Sequence, residues 1–353
     1  MSDALAKTPQ SYIDAIDDLA LAPLWGRLRG LVPTEPRPQA EAHLWDFDAM
    51  KPHILEAGRI VTAKEAERRV LILENPALKG TSRVADSVFA GFQIILPGEV
   101  APSHRHSQAA LRFVLDGSGA YTAVGGERTT MEFGDFIVTP PWRWHDHGNL
   151  SDEPMIWLDG LDIPMVRLFN AGFEEDLETD RQEIVKEEGD SLARYGSGLM
   201  PVDEAWSRKS SPVFNYRYEK SRAAVEQSST TGAPDPCHGW RLRYTNPVNG
   251  DWAMPTLAPY LRKLPQGFVS MPYRSTESSV FIVTEGRGHV TVGAKRMAWK
   301  KKDIFVIPAW SSFTLEAETD VFLFNYSDRA AQDKLGFFME ARGNQPPRFP
   351  SSH

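Results

Sequence analysis

The chain has 353 residues, of which 41% are hydrophobic and 24% are charged, as is ordinary for a soluble globular protein with room for roughly two domains. Its 39 Lys and Arg residues against 47 Asp and Glu residues give a net charge of −8, and no basic stretch stands out. This argues against nucleic-acid binding, because phosphate neutralisation needs clustered cations.

The cysteine content and the apolar runs bear on location. The single cysteine, Cys237, excludes an internal disulfide and fits a reducing compartment. The N-terminus lacks a charged segment followed by an apolar core, and no apolar run approaches the length of a membrane span. We therefore expect a cytoplasmic protein that does not associate with membranes.

Residues 1–81 are predicted to form a helical arm. Apolar residues recur at approximately helical spacing between residues 11 and 30, with an interruption at Pro23. A second helical stretch begins near Lys51. The sequence from Thr62 to Glu65 predicts a capping box that opens a further helix.

The pattern changes in residues 82–164 to short runs rich in β-branched and aromatic residues, separated by turns that contain glycine. Regularly spaced short strands of this kind are typical of a double-stranded β-barrel, or jelly roll. The predicted strands cover residues 88–96, 110–115, 120–124, 136–139 and 155–161.

Two histidine pairs stand in this barrel segment, His104 with His106 and His145 with His147. On an extended strand, residues i and i+2 point to the same face, so each pair offers two imidazoles together. Imidazole is a good ligand for iron, zinc, copper and nickel. Two such pairs on predicted strands are hard to obtain by chance, and they predict a metal site.

The barrel spacing recurs in residues 246–342, where Gly267 follows Gly98 by 169 residues. Residues without a chelating group occupy the histidine positions in this second copy: Tyr273, Ser275 and Phe313. The second barrel is therefore expected to have lost the ligands and to hold a neutral pocket. Residues 165–245, acidic and without clear periodicity, are predicted to be a connector, and residues 343–353 a tail.

The spacing resembles the two sequence motifs of the cupin family. Gly98, His104, His106 and Gly117 fall on the positions of the first motif, and Gly134, Pro140, His145 and Asn149 on those of the second. Two residues depart from the pattern: Ala110 replaces a glutamate ligand and Trp142 replaces a glycine. Without the glutamate, three neutral histidines would hold an octahedral ion and leave three positions free.

Longer stretches narrow the resemblance to gentisate 1,2-dioxygenases, which are Fe(II)-dependent bicupins that cleave aromatic rings. The likeness covers most of the chain and is densest in residues 101–114, 125–131, 142–149 and 157–164. It implies a mainly β bicupin, with two double-stranded β-helix barrels behind an N-terminal helical arm that helps to build a homotetramer in the family. Relatives that act on salicylate or 1-hydroxy-2-naphthoate share most of this sequence.

The resemblance also implies a reaction. Fe(II) held by His104, His106 and His145 would bring O2 to gentisate, which is 2,5-dihydroxybenzoate. Both oxygen atoms would enter between the carboxyl-bearing carbon and the adjacent hydroxyl-bearing carbon, and the product would be maleylpyruvate. This is a step of aromatic hydrocarbon catabolism.

Further residues are expected to act in the site. Arg112 has the strand parity of His106 and would hold the substrate carboxylate. His147 lies outside the ligand motif and would serve as a general acid or base, with Asp159 to orient it. Three more residues are predicted to contact the substrate: Gln108, Arg83 and Trp144.

Other functions stay open at this point. A salicylate or 1-hydroxy-2-naphthoate dioxygenase would need a different pocket, and Gly91, on the strand that enters the site, leaves room for a wider ring. A metal-dependent isomerase or decarboxylase would not consume O2. A cupin that only binds a ligand would have no need of Arg112 and His147 beside the three histidines.

Overall fold

A computed structural model describes residues 3–204 and 206–349. The first two residues of the predicted arm, position 205 of the predicted connector and the last four residues of the predicted tail lie outside the described residues. The chain divides into two compact units, residues 1–37 and residues 38–353. None of the helices in the described ranges has the length and apolar character that crossing a bilayer requires.

The helices are short, and the first three lie in the first unit. The described α-helices are α1 (Asp3–Ala6), α2 (Gln10–Asp17), α3 (Leu24–Leu31), α4 (Phe47–Ile60), α5 (Ile163–Leu168), α6 (Asp190–Tyr195), α7 (Tyr218–Ser228) and α8 (Arg329–Leu335), with a 3-10 turn at Pro76–Leu78. The predicted break at Pro23 is confirmed, since this residue caps the start of α3.

Strands make up most of the second unit. In its first part they are β1 (His43–Trp45), β2 (Val70–Ile72), β3 (Phe89–Ile95), β4 (Val100–His106), β5 (Ala110–Asp116), β6 (Ala120–Val124), β7 (Glu127–Thr130), β8 (Phe136–Thr139), β9 (His145–Asn149), β10 (Met155–Leu161), β11 (Glu174–Asp176) and β12 (Asn215–Tyr216). In its second part they are β13 (Trp240–Arg243), β14 (Ala258–Leu264), β15 (Tyr273–Ser275), β16 (Ser279–Glu285), β17 (Arg287–Val292), β18 (Lys295–Lys300), β19 (Ile304–Ile307), β20 (Phe313–Ala317), β21 (Val321–Ser327) and β22 (Glu340–Arg342).

The strands form two barrels of the same topology, each built from a six-stranded and a five-stranded sheet. The first barrel has the orders β12-β8-β5-β10-β3-β2 and β11-β4-β9-β6-β7. The second has β1-β19-β16-β21-β14-β13 and β18-β17-β20-β15-β22. The run β8-β5-β10-β3 of the first barrel corresponds to β19-β16-β21-β14 of the second, and β4-β9-β6-β7 corresponds to β15-β20-β17-β18. This correspondence confirms the mainly β bicupin fold and the internal repeat.

Strands from outside the repeat complete both barrels. From the predicted arm, β1 joins the second barrel through β19, and β2 joins the first through β3. From the predicted connector, β12 pairs with β8 of the first barrel and β13 with β14 of the second. These added edges cover strands that would otherwise expose unpaired backbone groups.

The prediction of a helix opened at Thr62 is wrong. The capping-box contacts do form, because Thr62 Oγ1 accepts from the Glu65 amide and the Glu65 carboxylate accepts from the Thr62 amide. The chain nevertheless makes only turns here. Arg69 is drawn inward, where its guanidinium donates to the Val61 carbonyl and pairs with the Glu99 carboxylate. This tertiary pairing overrides the local helix signal.

A shared core joins the two barrels through their six-stranded sheets. Phe324 of β21 stacks on Phe113 of β5 with ring centroids 4.3 Å apart and also contacts Phe136 of β8. Tyr326 donates its hydroxyl to the Phe89 carbonyl at 2.8 Å. Strands β3, β8, β19 and β21 are buried along their whole length, because neighbouring layers cover both of their faces.

We expect Phe324→Ala to lower the free energy of unfolding by about 3–5 kcal/mol, since it removes a fully buried ring from the core between the barrels. Phe337→Ala is the matched control, because that side chain is 61% exposed and should cost less than about 0.5 kcal/mol. Urea titration followed by tryptophan fluorescence measures both. Equal stabilities of the two variants would contradict a shared core.

Candidate metal centre

The structure brings His104, His106 and His145 together on one face of the five-stranded sheet of the first barrel. His104 and His106 end β4, and His145 begins β9 and lies directly opposite His104. The ring centroids are 4.1 Å apart for His104 and His145 and 4.9 Å apart for His106 and His145. One ring nitrogen of each histidine lies within 4.8 Å of the others.

A β-bulge creates this alignment. The register of β4 with β9 pairs Ala101 with His147 and then His104 with His145, so β4 holds one extra residue between these pairs. In an unbroken register, Ser103 would face His145 and His104 would point to the opposite side of the sheet. The bulge therefore turns His104 towards the other two histidines.

Backbone carbonyls set the tautomers of two of these histidines. Nδ1 of His106 is 3.0 Å from the Gln108 carbonyl, and Nδ1 of His145 is 2.9 Å from the Arg143 carbonyl. A carbonyl only accepts, so Nδ1 carries the hydrogen and Nε2 keeps the lone pair in both residues. The His145 Nε2 atom is buried without a hydrogen-bond partner among the described residues.

Burial keeps these imidazoles neutral. It lowers the pKa of His106 to about 4, with the Arg112 guanidinium as a further cause. It likewise lowers the pKa of His145 well below its usual range, with His106 adding to the effect. Neutral imidazole is the form that binds metals, and Ala110 is buried at the position where cupins have a glutamate. Two neutral imidazoles whose Nε2 atoms keep their lone pairs, together with the adjoining His104, fit a bound transition-metal ion.

A cavity of about 280 Å³ adjoins the histidine cluster. Its polar wall consists of Arg68, Gln93, Arg112 and Asp159. Its apolar wall consists of Val70, Ile72, Phe89, Ala110, Leu161 and Ile163. The volume lies near the lower end for small-molecule sites, and the mixed lining suits a small planar ring that carries an anionic group.

Gly91 does not widen this cavity, although its missing side chain suggested extra room. A Cβ atom at Gly91 would lie 2.4 Å from Val70 Cγ1 and 3.3 Å from the Leu71 carbonyl oxygen. The glycine therefore lets β2 pack closely on β3. Val70 and Ile72 of β2 then line the cavity, so the strand added from the predicted arm narrows the pocket.

Arg112 faces the cavity, but not for the reason that strand parity suggested. Strand β4 ends at His106 and Arg112 lies on β5, where it pairs in register with Asp159 of β10. Its Nη1 donates to Thr139 Oγ1, and its Nε lies 3.6 Å from the Asp159 carboxylate. Burial lowers the pKa of Arg112, and the Asp159 carboxylate opposes that shift.

The environment of Asp159 differs from the prediction. Its carboxylate accepts from the Trp157 indole at 3.0 Å and lies beside Arg112. Burial raises the pKa of Asp159 to about 6, against the opposing effect of Arg112. The expectation that Asp159 orients His147 is therefore wrong, because its hydrogen bond goes to the indole.

His147 is completely buried next to the cluster, with its ring centroid 5.9 Å from that of His145. The Thr122 hydroxyl lies 2.8 Å from its Nδ1 and orients the ring. Its Nε2 has no hydrogen-bond partner in the described part of the chain. Burial lowers the pKa of His147 well below its usual value, with Arg112 as the next cause, so the neutral form of the ring is favoured.

Three predicted substrate contacts lie away from the cavity. The Arg83 guanidinium donates to Thr81 Oγ1 and to the Asp86 carbonyl within its own loop. Trp144 packs against Arg105, whose guanidinium carbon lies 4.6 Å from the centroid of the Trp144 ring. The side chain of Gln108 is not part of the described cavity lining, although its backbone carbonyl positions His106. Local contacts thus hold the side chains of Arg83 and Trp144, and substrate binding by Arg83, Trp144 and Gln108 stays a prediction.

Two residues that sequence reasoning missed line the cavity instead. Arg68 follows the capping box whose predicted helix does not form. Its Nη2 donates to the Pro102 carbonyl at 2.9 Å and lies 3.0 Å from His104 Nε2. Burial lowers its pKa to about 10, with Arg112 as the next cause. Gln93 is the one polar residue of the buried strand β3, a signal that the sequence did contain.

The expectation of a neutral pocket in the second barrel is also wrong. The corresponding cavity contains the charged side chains Arg241, Arg262 and Glu277 and the buried His238 beside Tyr273, Ser275 and Phe313. The chelating histidines are nevertheless replaced there, as the sequence indicates. The His104–His106–His145 cluster is the group of three metal-ligating side chains found among the described residues.

We expect His145→Ala to lose the bound metal, because two imidazoles without a carboxylate are a weak site. His53→Ala is the control, since His53 is exposed on α4 and should leave the metal content unchanged. Mass spectrometry of the metal in purified, metal-loaded protein gives the ion-to-chain ratio. A ratio in His145→Ala equal to that of the control would overturn the cluster as the binding site.

Comparison with known proteins places the chain in a family. A cupin domain model matches residues 91–161, which span the histidine cluster. The chain is 54% identical to gentisate 1,2 dioxygenase 1 of Aquipseudomonas alcaligenes, with 96% of this chain and 98% of the relative aligned. It is 37% identical to a gentisate 1,2-dioxygenase of Streptomyces sp, with 94% of each aligned.

A solved structure gives the same result. The salicylate 1,2-dioxygenase of Pseudoaminobacter salicylatoxidans, determined as adducts with gentisate, superposes with a TM-score of 0.89 at 33% identity. The superposition covers 96% of this chain and 95% of that enzyme. The chain therefore belongs to the gentisate 1,2-dioxygenase family of cupin proteins.

Proposed function

We propose that this protein is a gentisate 1,2-dioxygenase that uses Fe(II) and O2 to open the ring of gentisate. The observation that carries the proposal is a cluster of three histidines beside a cavity of about 280 Å³ that is also lined by the buried Arg112 and the half-buried Arg68. The relatives named above act on hydroxylated benzoates, which combine a small ring with a carboxylate and match this lining.

In overall chemistry, gentisate gains both atoms of O2 and the bond between its carboxyl-bearing carbon and the adjacent hydroxyl-bearing carbon breaks. The product is maleylpyruvate, and no other oxidant or reductant is required. His104, His106 and His145 would hold Fe(II), which supplies the redox chemistry that lets O2 react with an electron-rich ring. The absence of an anionic ligand at Ala110 favours binding of an anionic substrate there.

Arg112 and Arg68 are proposed to bind the substrate anion. Both guanidinium groups line the cavity, and Asp159 is the carboxylate in that lining, so the wall carries an excess of positive charge. Asp159 and Thr139 fix the orientation of Arg112, which reduces the entropy lost when it grips a carboxylate. Gln93, on β3 of the same sheet as Arg112, offers an amide to a substrate oxygen.

His147 is proposed to accept the proton of a substrate hydroxyl. Its free Nε2 lies beside the cluster, and Thr122 holds the ring in place. A positioned base of this kind contributes roughly 10²- to 10⁴-fold to a rate. The apolar wall formed by Val70, Ile72 and Phe89 would pack against the ring and exclude water from it.

We further propose a homotetramer in the cytoplasm. The homotetramer is supported by the family resemblance of the helical arm, in which α3 exposes the apolar residues Leu24 and Leu28. The cytoplasm is supported by a buried, unpaired Cys237, which suits a reducing compartment. Sedimentation velocity of the full chain tests the assembly.

We expect Fe(II)-loaded protein to consume one O2 per gentisate and to form a ring-opened product with ultraviolet absorbance. An oxygen electrode and a spectrophotometer measure both, with salicylate and 1-hydroxy-2-naphthoate as alternative substrates and metal-free protein as the control. Uptake with another acid alone would keep the reaction and change the substrate. No uptake with any acid, in protein that retains its iron, would contradict the proposal in favour of an isomerase or a binding protein.

Arg112→Met should raise KM for gentisate by about 10- to 100-fold, because a charge-assisted hydrogen bond contributes roughly 1.5–3 kcal/mol. Arg83→Met is the matched control, since the structure holds that guanidinium in its own loop, and it should leave KM unchanged. Initial rates of O2 uptake over a range of gentisate concentrations measure both. A larger rise in KM for Arg83→Met than for Arg112→Met would favour Arg83 as the residue that binds the substrate.

A further inference from the structure

The second barrel contains a cavity at the place that the metal cavity occupies in the first. Tyr273, Ser275 and Phe313 line it at the positions of the three histidines, and Ser279 lies at the position of Ala110. The cavity has a volume of about 10 Å³, which is room for a single small occupant. An aromatic acid does not fit.

The pairing of equivalent strands shows how the second cavity differs. Gln93 of β3 pairs with Trp157 of β10, and Arg262 of β14 pairs with Leu323 of β21. Since β14 and β21 hold the places of β3 and β10 in the sheet order, Arg262 replaces Gln93.

The arginine of the first cavity is absent from its equivalent position. Arg112 pairs with Asp159 in the first barrel, and the corresponding pair in the second is Phe281 with Asn325. The buried arginine of the second barrel therefore lies on β14, whereas Arg112 of the first lies on β5. Its partner Asn325 carries an amide at the position where Asp159 carries a carboxylate. This leaves the guanidinium of the second cavity with a neutral neighbour.

Arg262 is only 1% exposed, and most of its donors lack acceptors. Its Nη2 donates to Asn325 Oδ1 at 2.7 Å, but Nε and Nη1 have no partner among the described residues. The guanidinium carbon lies 5.0 Å from the centroid of the Phe281 ring. Burial and the nearby Arg241 lower the pKa of Arg262 to about 9, so the group stays charged at neutral pH.

His238 is a second buried group without partners in the same cavity. It is 2% exposed, and neither ring nitrogen has a hydrogen-bond partner in the described ranges. Its ring packs edge-on against Tyr273 with centroids 4.3 Å apart. At least one of its nitrogens carries a hydrogen and needs an acceptor.

The charges around the cavity leave one positive charge in excess. Arg241 and Arg262 line it, and Glu277 is the carboxylate among the lining residues. The Glu277 oxygens already accept from Ser275 Oγ and Ser327 Oγ. Neighbouring charges are balanced elsewhere, by the ion pairs Arg329–Asp333, Arg342–Asp235 and Arg348–Glu340.

We propose that this cavity binds one small monovalent anion of halide size, held by Arg262 Nε and Nη1 and by a ring N–H of His238. An anion satisfies several donors at once and offsets the excess charge of the buried guanidinium. A water molecule accepts at most two of these hydrogen bonds and leaves the charge uncompensated. The proposal is independent of the reaction in the first barrel.

Bromide, which scatters X-rays anomalously, tests the site directly. Crystals of the full chain grown in sodium bromide should show an anomalous peak within about 3.5 Å of Arg262 Nε or Nη1. Crystals of Arg262→Met should lack that peak. An empty or water-filled cavity in the wild-type bromide crystals would overturn the proposal.

Thermal unfolding tests the site in solution. In sodium bromide the wild-type midpoint should rise by about 2 °C or more above its value in sodium gluconate at equal ionic strength, and the rise should saturate with concentration. Arg262→Met should lose this rise yet be at least as stable as the wild type in gluconate, because an uncompensated buried charge is gone.

Arg287→Met is the matched control, since it removes one positive charge from a side chain that is 66% exposed on β17. It should keep the full response to bromide. Equal bromide responses of wild type and Arg262→Met would overturn the proposal. So would an anomalous peak without any difference in midpoint, which would mark an adventitious ion only.

Discussion

The extra residue in β4 is the constraint on which the metal centre depends. The bulge lies between Ala101 and His104, where Pro102 has no amide hydrogen to offer the ladder. Arg68 donates to the Pro102 carbonyl, and the Ser103 amide and carbonyl bond to the chain near Asp180 and Leu177. These contacts hold the bulged backbone, and they turn His104 to the face where His145 lies. Removing the extra residue would scatter the histidines over two faces.

Arginine side chains line both cavities, and their positive charge favours anionic ligands. In the first barrel, Arg112 has both a hydroxyl and a carboxylate to orient it, and Arg68 lies across the same space. Two guanidinium groups against one carboxylate favour an anionic ligand there. Such an arrangement is costly without its ligand, because burial lowers the pKa of both arginines. This cost is consistent with a site built for binding rather than for stability.

The second barrel keeps a backbone turn of the first barrel although its metal-binding histidines have been replaced. Trp142 and Trp310 hold equivalent positions and adopt positive φ angles of 58° and 60°. Their amides donate to the carbonyls of His106 and Ser275 at 2.7 and 2.6 Å. The left-handed conformation explains why cupins place glycine here, and the departure at Trp142 strains the backbone without changing the turn. Chelation needed particular side chains, whereas the turn needed only backbone hydrogen bonds.

The sequence alone determined the features that depend on residues near one another in the chain. Short strands and glycine turns predicted the first barrel, the spacing of the paired histidines predicted the histidine cluster, and the 169-residue repeat predicted the second barrel. Only the tertiary structure decided which side chains from distant parts of the sequence lie beside the histidine cluster. Arg68 reaches the cavity because no helix forms after Thr62, whereas loop contacts withdraw Arg83 and packing under Arg105 withdraws Trp144. A side chain's direction there depends on partners far along the chain, which local spacing does not encode.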